Sequence, residues 1–156
     1  MILPSHHKYD ESRKQPYSAL LERLGRVLDR DDAILFVCGY SFSDEHVNAI
    51  IFDALEAKRR PHVIALQYQD ENSASMLSER ANRYFNLMVL GPRFAHIGGR
   101  RGQWKVDDFR GVAHIADAFT PDDKVEGEDQ PTGHGKLLLG DFARFAAFLG
   151  ALTVPA

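Results

Sequence analysis

The stretch LFVCGYSFSDEHVN, Leu35 to Asn48, concentrates the groups in this sequence most able to bind or react. An apolar run stops at Gly39, where the missing Cβ lets the backbone turn and a ligand approach closely. Two hydroxyls follow, Ser41 and Ser43, and either can cap a helix, with Ser43 better placed before the periodic segment. The free amides and positive dipole of a helix start form a natural seat for phosphate. Asp44 and Glu45 favour the same helix end and would repel an anion set too near, so Asp44 suits a ribose hydroxyl better than a pyrophosphate. The competing reading is a well-made helix N-terminus and nothing more. His46 and Asn48 suggest an acid–base pair, but each helical step turns about 100°, so residues two apart do not face one another. His46 is therefore a catalytic candidate only against the alternative of a capping or supporting role. Neither G-x-G-x-x-G nor a Walker lysine motif is present.

The other candidates are thinner. His6 and His7 are adjacent and lack a third ligand, so no metal is expected. His114, inside VAHIA, reads as a core or strand-end histidine. GGRRGQW could hold phosphate through glycine amides with Arg100 or Arg101, and Trp104 could stack on a base. An exposed hairpin anchored by its tryptophan is the favoured alternative. Lys58, Arg59 and Arg60 read as the cationic end of a helix.

Placing the central stretch requires strands and helices around it. MILPSHHKYDESRKQP reads as a strand end and loop, with Pro16 opening a helix that carries Leu20, Leu21, Leu24, Val27 and Leu28. AILFVCG is too continuous for a half-exposed strand and suits a parallel strand covered on both faces. After Ser43, the stripe Val47, Ile50, Ile51, Ala54 and Leu55 predicts a helix. HVIALQ is the next strand, Ser73 to Tyr84 the next helix, and FNLMVLG a third strand stopped by Gly91 and Pro92. GVAHIA is a further strand candidate. Residues 120–136 are acidic and rich in Pro and Gly, which predicts an exposed, mobile loop. Asp141 is placed to cap a last helix whose Phe142, Phe145, Phe148, Leu149 and Leu152 pack inward. The alternation predicts a single α/β domain, Rossmann-like, with a doubly wound, mostly parallel sheet whose ligands gather at the strand ends.

The 156 residues suffice for one domain with a core, and 44% hydrophobic against 26% charged content is that of a folded protein. A net charge of −3 gives no electrostatic reason to expect nucleic acid. The single cysteine, Cys38, excludes an intrachain disulfide and suits a small hydrophobe in a reducing compartment. No run approaches a membrane span and no secretory leader is visible, so a cytoplasmic protein is expected.

GYSFSDEHVN after a hydrophobic strand resembles the signature of the sirtuin-like domains of bacterial NAD-hydrolysing anti-phage defence proteins. ILPSHHKYDESRKQPYSALLERL and NLMVLGPRFAHIGGRRGQW resemble the segments around that signature, so the likeness spans Ile2 to Trp104. It implies NAD as substrate or ligand, cleaved to ADP-ribose and nicotinamide as an Asn and a His direct water onto the ribose carbon. The wider family's strand end reads Gly-Thr-Ser-Leu, with its Gly and Ser against NAD, which implies Gly39 and Ser41 here. The next strand ends in a polar residue near the adenosine ribose, usually Asn, whose counterpart is Gln67. The family's glycine-rich first turn, Asn and His all precede the matching region. The resemblance therefore implies a C-terminal half-domain whose sheet is completed by self-association or by a partner protein. For this chain alone, a non-catalytic nucleotide-binding or assembly module is the alternative.

Overall fold

A computed structural model describes residues 6–57, 61–105, 115–122 and 133–153, with 6–15 and 115–116 described by backbone only. In chain order the elements are α1 (His6–Leu28), β1 (Ile34–Cys38), α2 (Glu45–Glu56), β2 (His62–Leu66), α3 (Met76–Arg83), β3 (Leu87–Leu90), β4 (Phe94–Ile97), β5 (Arg100–Gln103), α4 (Ile115–Ala118), β6 (Phe119–Pro121), β7 (Gly135–Leu137) and α5 (Phe142–Thr153). They fall into two compact units: a helical one, Met1–Ile34 with Phe42–Pro61, and a sheet-bearing one, Leu35–Ser41 with His62–Ala156.

In the sheet-bearing unit, HVIAL and LMVL are largely apolar runs that suit a strand, and burial alternates along LMVL. Val63, Ala65, Leu66, Leu87 and Val89 are buried. β2 and β3 pair in parallel with Val63 opposite Leu87 and Leu66 opposite Leu90. The Gln67 amide extends the ladder by donating to the Leu90 carbonyl at 2.9 Å. The sheet runs β1-β2-β3-β4-β5. Because β3–β4 and β4–β5 are antiparallel, the sheet is mixed where a mostly parallel one was expected. The reason is local: tight turns at Gly91–Arg93 and Gly98–Gly99 reverse the chain without room for a crossover helix. The turn at Gly98–Gly99 makes GGRRGQW a hairpin, as favoured from sequence. β5 is exposed throughout, and its arginines discourage pairing at that edge.

The opposite edge is different. β1 is all apolar, yet Ile34 is 60% and Phe36 48% exposed, so it is not covered on both faces as its composition suggested. Phe36 packs on Phe145 of α5, with ring centroids 5.4 Å apart. Asp141 caps α5 as expected, accepting from the Ala143 and Arg144 amides at 2.8 and 3.2 Å. The predicted inward stripe of α5 is corrected: Phe145 is buried, whereas Phe142, Leu149 and Leu152 are exposed. A second, two-stranded sheet pairs β6 with β7, with Thr120 opposite Lys136. The loop expected over 120–136 is corrected at both ends, which are strand, while its residues 123–132 lie outside the described residues, as do Lys58, Arg59, Arg60 and His114. The strand expected at GVAHIA is helical at Ile115 and Ala116, in α4.

In the helical unit, α1 packs on α2. The opening segment is helix from His6, not strand end and loop, and Pro16 lies inside α1. A proline there removes one backbone bond, but the Lys-, Glu-, Arg- and Gln-rich sequence before it has high helix propensity. Among the described residues no helix is long and apolar enough to cross a membrane.

Candidate functional site

The sheet-bearing unit has a cleft of about 350 Å³ where β1 and β2 end. Gly39, Tyr40 and Ser41 form one side, and the run Leu66 to Glu71 forms the other. Gly39 has φ +70°, a conformation that disfavours any residue with a Cβ, and a Cβ built there would meet nothing within 4 Å. The backbone is thus bare toward open space, as close ligand approach requires. Gln67 is the polar residue that ends β2. Its side-chain nitrogen is buried without a hydrogen-bond partner among the described residues. A buried amide donor left unsatisfied costs about 1–3 kcal/mol, so a ligand acceptor beside it would gain a bond and remove that penalty. This orphaned donor and the bare glycine fit a nucleotide sugar.

Gln67, Tyr68, Gln69 and Asp70 also line a second cleft, of about 590 Å³, with Arg93, Lys136 and Arg144 further along it. Asp70 fixes the wall: its Oδ1 accepts from the Arg93 and Phe94 amides at 2.7 and 3.0 Å. Gly140 packs so tightly on the end of β2 that a Cβ would overlap the Gln67 carbonyl. Cys38 lies beneath, its Sγ 3.6 Å from the Gly140 carbonyl oxygen. Burial and, secondarily, Asp141 raise its thiol pKa, which keeps it protonated and poorly nucleophilic.

The rest of the signature belongs to the helical unit, and there the expected cap is corrected. Asp44, not Ser43, caps α2, its Oδ1 accepting from the His46 and Val47 amides at 2.9 and 3.2 Å. Its Oδ2 accepts from the Tyr17 hydroxyl at 2.6 Å. Both oxygens are therefore engaged within the protein. Asn48 donates from Nδ2 to the Phe42 carbonyl at 2.8 Å, which gives this residue a structural task in place of pairing with His46. His46 is exposed.

The Tyr17 bond, then the Val47 amide, lower the Asp44 pKa from its ordinary 3.8. A carboxyl depressed on folding contributes stability that is fully present above its unfolded pKa. That contribution disappears as pH falls through the folded value. Tyr17→Phe is expected to raise the Asp44 pKa toward the ordinary value, read by NMR titration of the carboxyl. An unchanged titration would mean the hydroxyl does not hold it.

Of the residues singled out from sequence, Gly39, Ser41 and Gln67 line one cleft, while Ser43 and Asp44 are part of the helical unit. Asp70, Tyr68 and Gly140 were missed; the alternation of Gln and Asp after β2 in QYQD was the available signal. Trp104 is anchored, donating from Nε1 to the Gly91 carbonyl at 2.8 Å. Arg101 lies over the Phe94 ring, 3.9 Å from its centroid. Among the described residues no group of three or more His, Cys, Asp and Glu side chains could hold a metal ion.

A family model described as SIR2-like domain matches residues 1–88, more than half of the chain. That span contains the whole LFVCGYSFSDEHVN stretch, β2 and Gln67. No curated protein matches the chain.

Proposed function

The chain belongs to the SIR2-like domain family, and from that premise we propose that Gly39, Ser41 and Gln67 hold NAD, as the dinucleotide-binding part of a sirtuin-like NAD glycohydrolase. The observation that carries this reading is the single cleft shared by a bare positive-φ glycine, a serine and a buried, unsatisfied amide donor. Gly39 admits the ligand backbone-close, Ser41 supplies a hydroxyl, and Gln67 Nε2 donates to a ribose oxygen. Asp44 has both oxygens engaged, so its proposed part is to set the start of α2 beside Ser43 rather than to bind the sugar. In the reaction, the C1′–N bond to nicotinamide breaks and its electron pair returns to the pyridine ring. Water adds oxygen to C1′ and releases a proton, giving ADP-ribose and nicotinamide. By the likeness of GYSFSDEHVN to defence proteins, the reading extends to anti-phage NAD depletion.

A specific observation favours a second reading for the chain acting alone, that of a nucleotide-binding or assembly module. Among the described residues no histidine lines the Gly39 cleft, and general acid–base chemistry needs a group within hydrogen-bond reach. The expected result is that NAD binds in calorimetry while NAD loss and nicotinamide release stay at the buffer rate. Turnover abolished by His46→Ala would sink the module reading and promote His46. Absence of NAD binding would sink both.

The apolar edge of β1 supports a further part of the proposal. Ile34 and Phe36 on an edge strand form a template for another chain, so a second copy or a partner protein completes the sheet. Sedimentation is expected to show association at micromolar concentration. A stable monomer would rule this out.

A further inference from the structure

The second cleft differs in charge from the first. It brings together Arg93, Lys136 and Arg144, from the β3–β4 turn, from β7 and from the first turn of α5, with two carboxylates, Asp70 and Asp141. Each carboxylate already accepts two backbone amides from one oxygen, Asp70 at the β3–β4 turn and Asp141 at the α5 cap. Arg93 is paired with Asp122 at 2.9 Å. Lys136 and Arg144 are left without a carboxylate partner among the described residues. Two cations on separate elements that line one cleft, neither ion-paired among the described residues, can supply charge-assisted bonds to a phosphate.

The two clefts are continuous in their lining, since Gln67 through Asp70 borders both. This shared lining sets a nucleotide seated on Gly39 and Gln67 beside the cationic cleft. Resting on the nucleotide reading above, we propose that Lys136 and Arg144 form a phosphomonoester subsite, so that this chain prefers a dinucleotide carrying an additional ribose phosphate. The ligand class is a 2′-phosphorylated dinucleotide, and the discrimination lies in side chains rather than in a helix dipole, because Asp141 already caps α5.

The test is calorimetric titration of the full chain with NAD and with NADP. NADP is expected to bind about tenfold or more tightly, the size of effect that one charge-assisted contact supports. Its advantage should shrink with added salt as surface charges are screened. In the Lys136→Met, Arg144→Gln double variant the two ligands should bind alike, with NAD affinity held within about twofold. Both side chains are exposed, so neither substitution removes core. Equal affinities in the unaltered chain would overturn the subsite while leaving the NAD reading standing. An NADP advantage that persists in the double variant would also overturn it, as would a parallel loss of NAD binding. Failure of both ligands to bind would remove the nucleotide reading and the subsite together.

Discussion

Phe42→Ala is expected to lower the stability of the chain by about 3–4 kcal/mol, within the range for deleting a buried aromatic. Phe42 is 6% exposed and stacks on Phe52 with ring centroids 6.3 Å apart and planes at 25°. It is also the one non-glycine among the described residues with positive φ, at 54°. For a bulky residue that conformation is strained, and it persists only where surroundings over-determine it. The ring stack is one such constraint, and the Asn48 side chain holding the Phe42 carbonyl is another. This gives a diagnostic comparison. At an ordinary position glycine is less stable than alanine, but at φ 54° alanine retains roughly 1–2 kcal/mol of strain that glycine does not have. Phe42→Gly should therefore be no less stable than Phe42→Ala in urea unfolding. If the glycine variant is weaker, the left-handed backbone at Phe42 is not strained and the role given to Asn48 fails.

The signature thus does two jobs, and only one of them was legible in its residues. Gly39 and Ser41 could be assigned to a strand end because a continuous apolar run must stop somewhere and glycine stops it. The strands β2 and β3 were legible for the same reason, as the apolar runs of HVIALQ and FNLMVLG. The cap was not. Ser43 and Asp44 are almost equal as helix caps, and Asp44 has in addition a partner 27 residues away, Tyr17, which engages its other oxygen. Local propensity cannot see that bond. Pro16 misled for a related reason, since it marks a helix start only when the sequence before it does not itself favour helix. In α5 the spacing of Phe142, Phe145, Leu149 and Leu152 correctly gave a stripe. Spacing says which residues share a face, but not whether another element covers it. β6 and β7 were invisible because each is three residues long and they are separated by an acidic stretch with no periodicity. The cationic cleft was illegible too, because Lys136 and Arg144 meet there with the β3–β4 turn, more than forty residues earlier in the chain.

The sharpest test of the nucleotide site is Gly39, where two substitutions separate binding from folding. Gly39→Val should reduce NAD affinity by at least about thirtyfold, or ~2 kcal/mol, because its side chain enters the cleft that the ligand backbone must approach. Valine, however, is β-branched and poorly suited to φ 70°, so it also introduces roughly 1–3 kcal/mol of strain. A loss of binding in that variant alone would be ambiguous. Asparagine tolerates left-handed backbone, so Gly39→Asn should keep a thermal midpoint close to the parent's. A Cβ at this position meets nothing within 4 Å, so the asparagine side chain would start out into the cleft. Calorimetry should then show NAD affinity falling in both variants, while thermal unfolding shows destabilisation mainly in Gly39→Val. Unchanged affinity in Gly39→Asn with the fold intact would mean that the ligand does not pass over Gly39. The orphaned Gln67 donor would then need another explanation, since its proposed acceptor reaches it across the same glycine.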